Sequence, residues 1–335
     1  ATEHAGNILL ELGPDSYITE KPAALRLCER LGLTDRLIAP QIVESKLYTV
    51  HRGALEPLPE GFLLMAPTRL GPVLRSPLFS WVGKVRMGLE PFIPGRSDDG
   101  DESLASFVRR RLGREVLERV AQPLIGGIYA SDPETLSLVA TMPRFREMER
   151  AHTSVIIGFR QAQKRRTQTA DETGARWSLF VSIDGGMEVL IRRIQMALGP
   201  SVARFGETVR RLSWNPETRR WRADTERTSL EADAVICTAP ASAAANSLET
   251  LDAELARDLR AIPFSSTATI NVAYQRRDIA HPLDGYGFVV PHTEGRNITA
   301  CTFSSVKYAG RAPKDIALLR CFAGGVLQPD LLKQS

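Results

Sequence analysis

The segment QPLIGGIYASDPETLSL, Gln122 to Leu138, sets Gly126 and Gly127 side by side after an apolar run and closes on Asp132-Pro133. Two neighbouring positions without side chains have two physical uses. They stop a helix, whose last turn often ends on glycine, or they let another group approach the main chain closely, and on the sequence alone the helix end is the favoured reading. LGPDS, Leu12 to Ser16, offers a related arrangement: Gly13 lets backbone N–H groups approach a ligand, Pro14 fixes the turn, and Asp15 and Ser16 add side-chain oxygens. An ordinary turn ahead of a helix uses the same residues. VICTAP, Val235 to Pro240, reads as a compact apolar strand ending in proline. Ligands of open α/β sheets gather at the carboxyl ends of strands, which brings Thr238 and Pro240 into consideration. No Gly-x-Gly-x-x-Gly follows a strand, so a bound dinucleotide needs its phosphates held by another segment.

Other patterns narrow the chemistry. His4, His51, His152, His281 and His292 show no metal-ligand spacing with one another or with cysteine, so a preformed zinc or iron site lacks its ligands. SSVK, Ser304 to Lys307, matches the Ser-x-x-Lys of some acyl-transfer enzymes without any companion motif. The sequon Asn297-Ile298-Thr299 matters only in a secreted protein. Cys28, Cys237, Cys301 and Cys321 lie far apart in apolar or strand-like contexts, which reads as reduced, buried thiols in a reducing compartment and not as a disulfide framework. With 43 Lys and Arg against 39 Asp and Glu the net charge is +4, too small an excess for nucleic acid unless it is gathered on one face. No apolar run approaches the roughly 18 residues that span a bilayer. Lying on a membrane remains open: from Gly61 to Pro94, Phe62, Phe79, Trp81 and Phe92 stand beside Arg69, Arg75, Lys84 and Arg86, a mixture suited to a headgroup layer.

The elements that must position these residues fall into two kinds. NILLELGPDS looks like a strand buried on both sides followed by a turn, and KPAALRLCERLGL like a helix opened by Pro22 and stopped by Gly32. KLYTVHRGALEPLP alternates about Arg52-Gly53 as a hairpin. Leu104, Val108 and Leu112, then Val116, Val120 and Leu124, describe two amphipathic helices separated by Gly113. Further helices follow in TMPRFREMER and SVIIGFRQAQKRR, and TQTADETGAR is a polar loop. SLFVSIDGGMEVLIRRIQMALG is strand, Gly185-Gly186 turn and helix, and ETVRRLSWNPETRRWRADTE is a hairpin about Asn215-Pro216. TATINVAYQ, GYGFVVP, ITACTFSS and IALLRCFAGG read as strands of one broad sheet. The expected class is α/β with α+β character, residues 42–166 forming a mostly helical insertion between 1–41 and 178–250, and 251–335 supplying the sheet.

In this order LELGPDSYITEKPAALRLCERLGL, QPLIGGIYASDPETLSLVATMPRFREMER, GGMEVLIRRI, VICTAP and CTFSSVKYAGRAP resemble the flavin-dependent protoporphyrinogen oxidases of haem biosynthesis, across nearly the whole chain. Relative to that family the N-terminal Rossmann fingerprint and the C-terminal segment over the flavin are missing. The resemblance implies an incomplete FAD-binding Rossmann-like domain, a mixed-sheet substrate domain and an inserted helical domain attached to membranes. It implies FAD held at Gly13, Pro14, Asp15 and Ser16, with Val209 touching the adenine through its backbone; Thr238 and Pro240, at the end of VICTAP, are cofactor candidates by the strand-exit argument. Gly126 and Gly127 would then let backbone pass between macrocycle and flavin, Gly127 being the catalytic wall, with Phe322 stacking on the ring and Val289 and Thr302 packing against it. Leu47 stands where several members carry an arginine for a substrate propionate, so a charge-assisted hydrogen bond is lost there unless Lys46, His51 or Arg52 replaces it.

The implied reaction takes protoporphyrinogen IX to protoporphyrin IX, with dioxygen or a respiratory acceptor reoxidising the flavin. Aromatisation drives it, so positioning matters more than acid–base help. Coproporphyrinogen III, with four propionates, is the alternative substrate, and a non-catalytic porphyrin-binding fragment the alternative role. The expected location is cytoplasmic and peripheral to a membrane surface, with a homodimer allowed and no nucleic acid.

Overall fold

The four apolar runs near the end of the chain pair as their alternation requires, and the hairpin far upstream joins them. Strands β1 (Tyr48–His51), β2 (Ala54–Pro57), β3 (Thr267–Gln275), β4 (Gly287–Val289), β5 (Ile298–Phe303) and β6 (Ile316–Gly324) form one sheet in the order β3-β6-β5-β4-β1-β2. The computed structural model describes residues 1–41, 46–63, 65–96, 98–162 and 180–333. They divide into one unit of residues 1–192 and 265–335 and a second of 193–264. The TQTADETGAR loop lies outside the described residues.

Arg52 and Gly53 turn the hairpin at φ 53° and 79°, the left-handed pair that a two-residue turn between twisted strands needs. Every sheet neighbour is antiparallel except β4 with β1, where Phe288 and Val289 pair Tyr48 and Thr49. At Gly287, φ is +143° and a Cβ would sit 2.0 Å from the Cys301 carbonyl oxygen, so only glycine lets β4 approach β5 this closely.

The helical part is built on the predicted periodicity. Helix α1 (Leu104–Arg111) is capped by Ser103, whose Oγ accepts from the Ser106 N–H at 3.1 Å, and Gly113 at φ 97° ends it. A short helix at Arg114–Val116 and a wide π turn at Leu117–Ala121 lead into α2 (Gln122–Tyr129). Pro123, with no N–H to donate, falls where the bonding pattern shifts. Phe107, Phe145 and Phe159 meet edge to face at 6.0 and 5.2 Å in the core. The same core encloses Arg111 and Glu90, both fully buried and bonded to each other.

Three expectations need correction. The Ile8–Glu11 strand is not sandwiched: among the described residues it pairs with Thr2–Ala5 alone, burying Leu9 and Glu11 while Leu12 is exposed. Leu9 and Glu11 share its one buried face, where Glu11 accepts from the Met187 N–H at 2.7 Å and the Thr2 hydroxyl at 2.8 Å. VICTAP forms no strand, because no other described strand pairs with it, and Ile236 is 89% exposed. Cys237 is accordingly exposed rather than buried.

The second unit carries an antiparallel meander, Val209–Asn215, Arg220–Thr225 and Ser229–Ala232, with helices Ala241–Leu248 and Ala253–Ala261. Asn215 shapes its hairpin as expected, its Oδ1 accepting from the Glu217 N–H at 2.9 Å. Strand Phe180–Ile183 of the first unit pairs Tyr17–Ile18 and Leu37–Ile38, and Gly185 and Gly186 turn the chain into helix Glu188–Leu198, within which the first unit ends.

Candidate active site

Register places most of the expected wall on one surface. Val289 pairs Ala300, Ala300 pairs Phe322, and Thr302 pairs both Gly287 and Arg320, so Val289, Ala300, Thr302, Arg320 and Phe322 project from the same face of the sheet. Thr269 and Asn271 continue that face on β3 and donate to the carbonyls of Leu12 and Glu11 at 3.5 and 3.3 Å. Thr49 continues it on β1 and donates to the Arg119 carbonyl at 3.1 Å. One end of the face is thus covered by the chain leading into the Gly13–Ser16 turn and the other by the helical region, with Phe322 and Thr302 half-buried between.

Helix α2 lies over the middle. A Cβ on Gly127 would meet the Ala300 Cβ at 3.6 Å, and one on Gly126 the Gln122 amide nitrogen at 3.6 Å. The helix runs through both glycines to Tyr129, and Ala130, at φ 51°, takes the left-handed capping position. The glycines therefore neither stop the helix nor answer a positive φ; Gly127 lies against Ala300 of β5, and Gly126 beside the Gln122 side chain. Beyond them a shallow open cleft lies between Gln122, Gly126 and Ala130 on one side and Pro291, Ile298 and Gly325 on the other.

The Gly13–Ser16 turn sits in a buried polar cluster that sequence reasoning missed. Arg320 donates to the Gly13 carbonyl and stacks over the Phe322 ring at 5.0 Å, touching the turn and the sheet wall at once. Lys307 pairs with Asp15 at 3.3 Å, the Ser16 hydroxyl bonds Asp15 at 2.8 Å, and Ser182 donates to the Asp15 carbonyl while accepting from Arg311 at 2.6 Å. Burial alone would raise Asp15, but Lys307, the Ser16 hydroxyl and Arg320 outweigh it and hold the carboxyl below its ordinary 3.8. Burial pulls both Arg311 and Arg320 below the ordinary arginine range. A small polar pocket opens among Glu11, Asp15, Asn271, Tyr308, Arg311 and Arg320, and the buried Nε of Arg320 has no hydrogen-bond partner. A buried donor without an acceptor is costly. The carbonyl-rich, hydroxylated body of a flavin nucleotide supplies acceptors of the needed kind, so these residues fit that group. The available signal was a single charge inside each of two apolar strands, Glu11 in ILLEL and Arg320 in IALLRCF.

The other expected residues belong to other segments of the chain. Val209 begins the exposed edge of the meander and Thr238 and Pro240 lie in the exposed segment before helix Ala241–Leu248, all in the second unit. Leu47 is half-buried just ahead of β1, its carbonyl accepting from Leu58 at 2.8 Å. Of the three residues that could replace the arginine, Lys46 is committed to Asp284 at 2.8 Å, and burial with the nearby Arg119 and Arg52 charges lowers His51. SSVK forms a short helix whose Lys307 is spent on Asp15. No metal-binding cluster occurs among the described residues.

Asp284 anchors the hairpin and gives a pH prediction. Hydrogen bonds from Lys46 and from Tyr48, at 2.6 Å, hold its carboxyl at about 2, and burial together with the Asp284 bond pushes Tyr48 up to about 12. A depressed carboxylate contributes stability above its ordinary pKa and loses it as pH falls through the folded value. Wild type should therefore exceed Asp284→Asn in urea midpoint near pH 5, the gap closing between about pH 4 and about pH 2. A gap independent of pH in that window counts against the anchor.

A family model for flavin containing amine oxidoreductases matches residues 1–335. The chain is 33% identical to coproporphyrinogen III oxidase of Bacillus subtilis over 94% of its own length and 66% of that protein. It is 32% identical to protoporphyrinogen oxidase of Homo sapiens over 90% of its own length and 63% of that protein. A crystal structure of a protein from Exiguobacterium sp. 255-15 superposes with a TM-score of 0.84 at 28% identity, covering 100% of this chain and 70% of that one. The chain thus spans just under two thirds of the length of these two curated relatives.

Proposed function

Since the chain belongs to the flavin-containing amine oxidoreductase family, whose membership assigns FAD as its cofactor, we propose that it oxidises a porphyrinogen to the corresponding porphyrin in haem biosynthesis. The observation that carries the proposal is the single sheet face that holds Val289, Thr302 and Phe322 under Gly127 and meets the Gly13–Ser16 turn through Arg320. FAD, when bound, supplies the hydride acceptor. Gly13, Asp15 and Arg320 hold it by hydrogen bonds and charge. Phe322 and Val289 give a flat apolar surface for the macrocycle, and the bare backbone at Gly127 keeps the gap above Ala300 open. Arg320 is the one charged residue among those named on this face, which suits a reaction driven by aromatisation and limited by positioning.

Protoporphyrinogen IX stands first on motif grounds, yet similar relatives from Bacillus subtilis, Propionibacterium freudenreichii and Staphylococcus aureus are coproporphyrinogen III oxidases at 31–33% identity. Coproporphyrinogen III is therefore the preferred substrate here. Full-length, FAD-loaded protein given each porphyrinogen should develop porphyrin fluorescence, faster from coproporphyrinogen III. A flavin-loaded protein that makes no porphyrin from either sinks the proposal. Dioxygen and a respiratory acceptor are separated by repeating the assay without oxygen.

A membrane surface is the proposed partner of the helical region. No helix among the described residues is long and apolar enough to cross a bilayer. Helix Trp81–Gly88 and the turn after it present Trp81, Val85, Leu89 and Phe92 outward at helical spacing, Trp81 71% and Phe92 81% exposed, with the Lys84 ammonium 4.7 Å from the Trp81 ring. Exposed aromatics of this kind, rimmed by cations, suit insertion beneath anionic headgroups. Trp81→Ser with Phe92→Ser should cut co-sedimentation with anionic liposomes at least about tenfold, at roughly 1.5–3 kcal/mol per buried apolar side chain, while leaving the melting temperature unchanged. Equal co-sedimentation of wild type and variant argues against this surface.

A further inference from the structure

Cys301 and Cys321 are 20 residues apart in sequence but direct register partners across β5 and β6, on the sheet face opposite Thr302 and Phe322. Opposed residues in an antiparallel ladder have Cα atoms roughly 4.5–5.5 Å apart, within the roughly 4.4–6.8 Å that a disulfide spans. Both thiols are free, Cys301 buried and Cys321 half-buried, and Ile270, the partner of Cys321 on β3, is 45% exposed. The Cys301 thiol donates to the Thr302 carbonyl at 3.9 Å, and the facing thiols shift each other, Cys301 upward and Cys321 down to about 7. Cys28 has no such neighbour, since it is buried and accepts from the Tyr17 hydroxyl at 3.3 Å.

We propose that Cys301 and Cys321 are a reversible redox pair, closed by a peroxide into a cross-strand disulfide that fixes the register of the strands carrying Thr302 and Phe322. The Cys321 thiolate attacks one oxygen of hydrogen peroxide, the O–O bond breaks, and hydroxide leaves and takes up a proton, which converts Cys321 to a sulfenic acid. The Cys301 sulfur then attacks the Cys321 sulfur, the S–S bond forms, the S–O bond breaks, and the hydroxyl leaves as water with the Cys301 proton. In sum, two thiols and one hydrogen peroxide give one disulfide and two waters, and a dithiol reductant reverses the change. Cys321 is the entry point because it is the more accessible and more acidic thiol, and Cys301 is the resolving partner. The inference does not depend on the identity of the substrate, though an oxidase that passes electrons to dioxygen would itself produce the oxidant.

The test titrates the chain with hydrogen peroxide in a Cys237→Ser background, which removes the exposed thiol, and then alkylates the remaining thiols and weighs the protein. The expected result is a loss of two hydrogens and of two alkylation sites, a peptide pair linking the segments that hold 301 and 321, and full recovery with dithiothreitol. Cys301→Ser should stop at a sulfenic acid trapped by dimedone, and Cys321→Ser should resist peroxide. The oxidised protein should melt several degrees higher than the reduced one. Oxidation of Cys321 to sulfinic acid without the 301–321 link in the folded protein, or no oxidation before unfolding, would overturn the proposal.

Discussion

Arg111→Met is expected to destabilise the chain by about 3–5 kcal/mol, the cost of removing one partner from a buried ion pair. Arg111 and Glu90 are both 0% exposed. The guanidinium donates to the Glu90 carboxylate, to the Ile93 carbonyl at 2.7 Å and to the Thr153 carbonyl at 2.6 Å. Glu90 in turn accepts from the Val155 N–H at 3.0 Å and from the Ser154 hydroxyl. Methionine fills much of the volume but leaves a dry carboxylate without its counter-charge and two carbonyls without donors. Urea unfolding followed by circular dichroism measures the loss. The double variant Glu90→Leu with Arg111→Met should recover only part of it, because Ser154, Val155, Ile93 and Thr153 still lack partners. A single-variant cost below about 1 kcal/mol would mean that water reaches the pair, as it does in exposed ion pairs.

That pair also marks the limit of what was legible in sequence. The apolar rhythm of Leu104, Val108 and Leu112 and the break at Gly113 follow from local sterics and burial, so α1 and its end could be read directly. So could the hairpin at Arg52-Gly53, where turn geometry depends on two residues. Neither Arg111 nor Arg320 announced its burial, because a charge enters a core only through partners that the fold brings from elsewhere: Glu90 across a loop, Gly13 from the other end of the chain. The parallel pairing of β4 with β1 joins Phe288 to Tyr48 and has no local signal at all. VICTAP failed for the opposite reason: its apolar composition suits a buried strand, but a strand exists only beside another, and none of those described is there. For the site, alternation put Val289, Thr302 and Phe322 on strands, but only the register put them on one face with Arg320.

Gly127→Val is the sharper test of that face. Gly127 has an ordinary helical backbone, and a Cβ there stands in plain van der Waals contact with Ala300, at 3.6 Å. Gly127→Ala should therefore fold at least as well as wild type, since alanine gains roughly 1 kcal/mol over glycine inside a helix. Valine pushes two further methyl groups into the gap between α2 and β5, where only a side chain of Ala300's size lies opposite. If that gap receives the rim of a flat tetrapyrrole, Gly127→Val should lower kcat/KM of the full-length, FAD-loaded protein at least about 100-fold, the loss that a displacement of about 1 Å from reacting geometry produces. Overpacking should cost roughly 1–3 kcal/mol of stability, but flavin content should stay near wild type and fluorescence quenching by the product porphyrin should weaken in parallel, which separates a blocked site from a damaged fold. Gly127→Ala should fall between the two. Wild-type turnover in a folded, flavin-loaded Gly127→Val protein would mean that the macrocycle lies elsewhere, and that the paired glycines serve only the packing of a helix against a strand.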